Sequence, residues 1–489
     1  MKCLTLAFLI FLVVALCNIT TLPVRADSKT IIVPDDYQTI SEAINNVANG
    51  DSIHIKRGIY TAPINSTLLI TKSISLSGEG AESTKIMLTP SSIQKNLFNL
   101  LYMEYDSAIK IDAAGVRISN IEIDGVGGDF AINDRGAQIV NVVTNLTVVA
   151  RGDSTQIINS TLMDMDLSGS GLLIKENILN GTGGILLSCV GSYNIIDSNH
   201  ISGRGVGISV RGTQNIIQSN TVLSDGKGIY EGVEIEGTEN ILLANSIIDN
   251  VAIGNTRAKL SSSLNFIGAN TIRGILDIWE SNNNIFVGNY LQGLVILHGT
   301  NNTFYHNNFD FSPTHSERQT FRTQTNDLFC DNGKEGNYWI DYNGTDTNGD
   351  GIGDYPYVFY NQDPKDFANV TTTHTFNGTT YYGHSYAYIY PALLDNYPSM
   401  VPFSNVSFRL PDWARFYIGN IDVTLPMNSL DVKLSSSPDA LALKTLKPES
   451  QETFELFNIT TMLVISVVSF FAVSIGLVFY FKKYRQKKL

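Results

Sequence analysis

From residue 194 the chain repeats one pattern, N-x-Φ-x-x-N-x-Φ, where Φ is apolar. The copies read "NIIDSNHI" at Asn194, "NIIQSNTV" at Asn215, "NILLANSI" at Asn240, "NFIGANTI" at Asn265, "NIFVGNYL" at Asn284 and "NTFYHNNF" at Asn302. Their starts are 21, 25, 25, 19 and 18 residues apart, and degenerate copies begin at Leu172 and Ser154. A period near 20, rich in β-branched residues, predicts a solenoid of short strands. The Ala, Leu, Glu and Lys at 3.6-residue spacing that a helical repeat needs are missing.

Each copy has two apolar positions separated by a turn, such as Ile217 and Val222 or Phe304 and Phe309. Stacked coil on coil, they predict a continuous apolar column. The second Asn of each copy (Asn199, Asn220, Asn245, Asn270, Asn289, Asn307) is expected at one bend. There its amide reaches the neighbouring coil and its own twin, and Asn suits the left-handed backbone of a corner.

The N-terminal segment predicts a cap. "TIIVPDD" reads as a strand. "TISEAINNVANGD" reads as a short helix with a Thr39-x-x-Glu42 capping box and an apolar stripe at Ile40, Ile44 and Val47. "SIHIKRGIY" returns as a strand. An open solenoid end needs such a cover.

Two apolar runs lie outside this repeat. "LTLAFLIFLVVAL" follows Lys2 and precedes "VRA", so residues 1–26 read as a signal peptide cleaved after Ala26. "MLVISVVSFFAVSIGLVFY" starts at Met462, carries no charge and is long enough to cross a bilayer. "FKKYRQKKL" follows, and its five basic residues predict a cytoplasmic C-terminus and an ectodomain outside the cell. Without the two basic residues of the signal and the five of the tail, 26 Lys and Arg face 46 Asp and Glu. A charge of −20 argues against nucleic acid and anionic membrane surfaces as partners. Only Cys189 and Cys330 remain in the mature chain, about six coils apart, so they are expected to be free. Ten N-x-S/T sequons allow N-glycosylation, at Asn65, Asn145, Asn159, Asn180, Asn301, Asn343, Asn369, Asn377, Asn405 and Asn458.

"TIIVPDDYQTISEAINNVANGDSIHIKRGIY", the N-x-I-x-x-N-x-I copies, "GNYWIDYNGTDTNGDGIGDYPY" and the later "DNYPSM" together resemble the NosD-type right-handed parallel β-helix family over roughly residues 30–400. The resemblance implies an all-β, right-handed parallel β-helix solenoid of about a dozen coils. It also implies a copper-handling role beside nitrous-oxide reductase for the family's founder. The fold is shared with pectate lyases, so it does not fix function. The expected organisation is signal 1–26, β-helix 27–310 with an N-terminal cap at 30–60 and clearest repeats at 154–310, and an Asp/Gly-rich cap 311–400. A small β segment and stalk 401–461, a transmembrane helix 462–481 and a basic tail 482–489 follow.

Three chemistries have candidates. In "NGTDTNGDGIGDYPY", Asp346, Asn348, Asp350, the carbonyl of Ile352 and Asp354 fall at the oxygen-ligand positions of a calcium loop. Position 12 is Tyr357, so an EF-hand is excluded. A looser Ca²⁺ site aided by Asp341, Asp363 or Asp366, and a metal-free Asx/Gly turn, both remain open. Copper would need clustered imidazole or sulfur ligands, whereas the seven His are scattered, with His298 and His306 the closest approach. Outward strand positions collect Arg211, Glu234, Glu236, Lys259, Asp277, Trp279, Glu280 and His298 as a ligand face. Glu236 and Glu280 are the candidate catalytic carboxylates, at roughly 9–10 Å if two coils apart. The alternative is an ordinary solvated sheet face. The leading expectation is a membrane-anchored surface protein that binds glycans or envelope components without catalysis. A polysaccharide lyase or hydrolase and a copper-handling accessory protein are the alternatives.

Overall fold

Alternation of period two turns the repeat into strands, because every second side chain must leave water. A computed structural model of the chain describes residues 28–426, apart from 98–99, 182–183, 225–230, 255–261, 294, 311–320, 324–327, 361–370, 377–378 and 385–390. It shows an all-β parallel β-solenoid. Two units divide the chain: residues 1–211 with 223–230, and residues 212–222 with 231–489.

In the first unit, parallel strands stack coil on coil. One inward column runs Ile31, Ile53, Leu76, Ile118, Ile139, Ile157, Ile174 and Ile196 in direct register. Each is at most 1 % exposed. Burying one such side chain contributes about 1.5–3 kcal/mol, so the column is the main source of stability here. A second sheet stacks Leu68–Ile70, Ile109–Ile111, Asp129–Ile132, Thr147–Ala150, Met165–Ser168, Ile185–Val190 and Val206–Arg211.

The N-terminal end is covered as expected. Helix Ile40–Asn46 carries the full capping box: Thr39 Oγ1 accepts from Glu42 N, and Glu42 Oε2 accepts from Thr39 N. Ile40, Ala43 and Ile44 face inward. Its C-terminal end is closed by Lys72, whose Nζ donates to the carbonyls of Ile44, Asn45 and Val47 at 3.1, 2.8 and 2.7 Å. A cation on free helix carbonyls also suits the helix dipole.

The second unit has an apolar column of its own, Ile217, Leu242, Ile267, Phe286 and Phe304. The rings of Phe286 and Phe304 stack at 4.2 Å. Phe309, Trp339 and Tyr357 stack in turn at 4.0 and 4.4 Å. Sheet pairing reaches Tyr338–Trp339.

Two files of asparagine run beside the column. In one, the main-chain N–H and the Nδ2 of each residue both donate to Oδ1 of the next. Asn220 binds Asn245, Asn245 binds Asn270, Asn270 binds Asn289, Asn289 binds Asn307 and Asn307 binds Asn337, all at 2.9–3.0 Å. The other file is Asn215, Asn240, Asn265, Asn284 and Asn302, with the same pair of bonds. In the first unit Ser160 N donates to Asn177 Oδ1, and Asn177 repeats the pair to Asn199. The ladder on the second Asn was expected. The equivalent ladder on the first Asn was not.

One expectation is corrected. The left-handed corner falls on the residue before each ladder Asn, not on the Asn. Ser198, Ser219, Ala244, Ala269 and His306 have φ of 52–56°, as does Asn283 before the other file. The ladder Asn needs ordinary backbone so that its N–H and Nδ2 point along the same direction.

Residues 401–426 form a strap on the second unit. Phe403 N donates to Asn308 Oδ1 at 2.9 Å and Asn308 Nδ2 donates to Phe403 O at 2.8 Å. Val406 packs over Gly288 and Phe408 over Phe266, with ring centroids 5.3 Å apart. Asn405–Arg409 therefore crosses successive coils, and Asp422–Pro426 pairs with it antiparallel. Cys189 and Cys330 are free and buried, as expected. Among the described residues no helix is long and apolar enough to cross a membrane. The expected signal 1–26 and span 462–481 lie outside them.

Candidate functional site

The outward face of the second sheet holds the polar side chains that the core rejects. In the first unit, register places Lys110, Ala131, Val149, Asp166, Ser188 and Ser209 in one file. Arg151 Nη2 donates to Asp166 Oδ2 at 2.7 Å and its Nη1 to Asp166 O at 3.0 Å. Lys110 Nζ lies 3.0 Å from Asp112, which also accepts from Asn133 Nδ2 at 2.7 Å. The Asn133 amide, then Lys110, hold the Asp112 carboxyl below the usual range. These side chains are partly exposed. The face therefore offers fixed donors and acceptors in axial sequence.

Two further carboxylates stand on the same face. Asp129 pairs in register with Thr147. Asp164 immediately precedes the strand Met165–Ser168. Each has a buried Oδ1 with no hydrogen-bond partner among the described residues. Burial pushes the Asp164 carboxyl up. It sits against Gly181, where any Cβ would meet Oδ1 at 1.9 Å. Sequence reading missed Asp164; the alternation in "MDMDLS" marks it only as outward-facing, and its burial has no signal there.

In the second unit, Glu234, Ala252 and Asp277 share an outward file. Trp279 pairs with His298 along the strand. One residue past the paired Ile235, Ile253 and Ile278, Glu236 lines up with Gly254 and Trp279. Gly254 has φ +95° and lies so close to the Trp279 carbonyl that a Cβ would come within 2.0 Å. Glu236 is 2 % exposed, whereas Glu280 is exposed at a left-handed corner with φ 46°. The aromatic Trp279, not Glu280, therefore stands in line with Glu236. Asp277 and Glu234 are half-buried and Arg211 is exposed. Lys259 and the His298 side chain lie outside the described residues.

The 346–354 loop is held by its own amides. Asp346 accepts from Gly349, Asp350 and Gly351 N at 2.8, 3.2 and 2.9 Å. Asp350 accepts from Ile352 N and from Asn348 Nδ2. Asp354 Oδ2 accepts from Thr345 Oγ1, Thr347 N and Thr347 Oγ1, and these bonds lower its carboxyl. Gly353 N and Met400 N tie the loop to 398–400 through Pro398 O and Gly351 O. Among the described residues no three His, Cys, Asp or Glu groups are grouped to hold one metal ion. His54 faces Ser77 and His306 faces Glu335.

No family model and no curated protein matches the chain. Among solved structures, it is similar to the Azotobacter vinelandii mannuronan C-5 epimerase A-module at 14 % identity, over 56 % of this chain and 93 % of that one, with a TM-score of 0.39. An alginate lyase in complex with G6 gives 13 % identity over 73 % and 91 %, with a TM-score of 0.39. The catalytic domain of an alpha-1,3-glucanase gives 14 % over 64 % and 70 %, with a TM-score of 0.35.

Proposed function

We propose that the chain is an exported, membrane-anchored surface protein that binds a linear, hydroxyl-rich glycan along the outward face of the second sheet, without cleaving it. The carrying observation is the axial file of half-exposed polar side chains centred on the Arg151–Asp166 fork, flanked by Lys110, Asp112 and Asn133. Coils rise about 4.8 Å each, so successive sugar hydroxyls of an extended chain meet successive rungs. A planar Arg fork suits the hydroxyls of a sugar ring. The negative ectodomain favours neutral glycans.

The NosD-type affiliation belongs to this proposal and is carried by the sequence motifs. Copper handling is not part of it, because His54 and His306 are each engaged by other side chains. A structural role is inferred for the 346–354 loop, which braces residues 398–400. If Ca²⁺ binds there, EDTA lowers the melting temperature; an unchanged value leaves a hydrogen-bonded turn.

A second reading, polysaccharide cleavage, is favoured by one observation: the buried, raised carboxyl of Asp164 has the character of a general acid. A glycan array with full-length protein, followed by assays for reducing ends and unsaturated products, separates the two. Binding without products, lost in Arg151→Ala, supports the proposal. Product formation abolished by Asp164→Asn replaces it with the enzyme reading. No binding and no product defeats both.

A further inference from the structure

The repeat explains why the ladder asparagines are not glycosylation sequons. Two residues after each ladder Asn stands an inward apolar side chain, such as Ile201, Ile247 or Ile272, where a sequon needs Ser or Thr. Sequons can therefore arise only off the ladders. The seven within the described residues, Asn65, Asn145, Asn159, Asn180, Asn301, Asn343 and Asn405, are all exposed. Alternation alone accounts for that much. What differs among them is the state of the two groups that glycosylation needs, the Asn amide and the hydroxyl two residues on.

At Asn145 the amide is occupied: Oδ1 accepts from Gly125 N at 2.9 Å and Nδ2 donates to Gly125 O at 3.2 Å. At Asn65 and Asn343 the hydroxyl is occupied, with Thr67 Oγ1 on Ser107 O and Thr345 Oγ1 on Asp354 Oδ2. At Asn405 the Ser407 hydroxyl is bonded to Thr424. Asn159 and Asn301 differ from these. Both occupy left-handed corners, φ 49° and 56°, a backbone shared with Asn65 (φ 60°), and lie one residue before the ladder positions Ser160 and Asn302. Their amides carry no hydrogen bond among the described residues, and neither do the hydroxyls of Thr161 and Thr303. A corner turns the side chain away from both flanking strands, so a bulky substituent meets solvent. Asn is also the residue best suited to that backbone after Gly.

We propose that Asn159 and Asn301 are N-glycan acceptors and that Asn145 is not. The donor class is an oligosaccharide carried on a polyprenyl phosphate or diphosphate. The Nδ2–C1 bond forms as the anomeric C1–O bond to phosphate breaks. The polyprenyl phosphate, or diphosphate for a diphosphate donor, leaves with the bonding electron pair, and one amide proton goes to the transferase base. The inference rests on the export proposed above. It sharpens it too, because neither acceptor lies in a strand of the second sheet, so the glycan-binding face stays uncovered.

The test is peptide mapping by mass spectrometry of the full chain isolated from the cells that make it. Hexose or hexosamine additions on the peptides with Asn159 and Asn301, and a bare Asn145, are expected. Thr161→Val and Thr303→Val, which leave both asparagines in place, should each remove one addition without shifting the melting temperature. Bare amides at Asn159 and Asn301 overturn the proposal. Occupancy of Asn145 equal to theirs overturns its selectivity. The same map reads the N-terminus: a start at Asp27 with bare asparagines rejects the acceptors alone, whereas residues 1–26 still attached reject export.

Discussion

One oxygen of Asp395 receives both the main-chain N–H of Asn337, at 2.7 Å, and its Nδ2, at 3.2 Å. These are the bonds that each Asn of the file makes to the next, so a carboxylate occupies the last rung. The amides of the file all point their donors the same way. Their positive end therefore meets a group that carries charge. Trp339 Nε1 donates to the same oxygen at 2.9 Å, and Tyr397 N to the other at 3.1 Å.

Asp395 makes stability depend on pH. Burial pushes its carboxyl up to about 6, although four N–H bonds pull it down. The native state thus holds a proton that the unfolded chain, with a value near 3.8, has released. Stability falls as pH rises from about 4 to 6 and is level above that. The span corresponds to roughly 3 kcal/mol at about 1.4 kcal/mol per tenfold change. Urea denaturation at pH 4.5 and 7 checks this, and Asp395→Asn should flatten the dependence.

The ladders predict an order among substitutions. Asn270 Nδ2 donates to Leu242 O and Asn289 Oδ1 at 2.8 and 3.0 Å. Asn270→Ala strands these acceptors and the donors of Asn245, at about 1–3 kcal/mol for each buried group left unpaired. Asn270→Asp places an oxygen against both acceptors and should cost at least as much at pH 7. Acid should shrink its deficit relative to the wild type and leave the deficit of the Ala variant unchanged. Denaturant midpoints at two pH values decide.

Leu264 holds φ 57° while 54 % exposed. A left-handed backbone costs an ordinary residue about 1–2 kcal/mol. Leu264→Asn should relieve part of this and raise stability by about 0.5–1 kcal/mol, visible as a higher melting temperature. A fall would show that the Leu side chain packs more than its exposure indicates.

The strap depends on Gly288. Its φ is +65°, and a Cβ there would lie 2.3 Å from Val406 Cγ1. Gly288→Ala should lift the strap and speed proteolysis within 401–426. Val406→Ala alone should cost about 1–2 kcal/mol. Combined with Gly288→Ala, it should restore much of the protease resistance.

The repeat made the core legible, because Ile217 or Phe304 recurs at fixed steps from its Asn. The helix at Ile40 was legible from Thr39 and Glu42 alone. Asp395 was not, since it meets Asn337 across 58 residues of unrelated sequence. The strap was equally hidden: Phe403 finds Asn308 95 residues away. Of the residues counted as outward, Glu234, Asp277 and Trp279 are half-buried, Glu236 is buried and Glu280 sits exposed on a corner, because the corner ends the alternation one residue earlier. Asp164 went unnoticed because its distinction is burial, which the pattern "MDMD" does not encode.

The asparagine files also bear on how such a chain changes length. From Asn245 to Asn307 each rung receives one pair of donors and passes on an identical pair, so no rung of this stretch marks its own place. Duplicating or deleting one whole repeat, such as residues 240–264, leaves the Asn-to-Asn bonding pattern unchanged at each remaining interface. Within this file, the rung that meets Asp395 is the one that ends on a carboxylate. The number of coils is thus free to drift by whole repeats, and the carboxylate acts as the stop mark that says where counting ends.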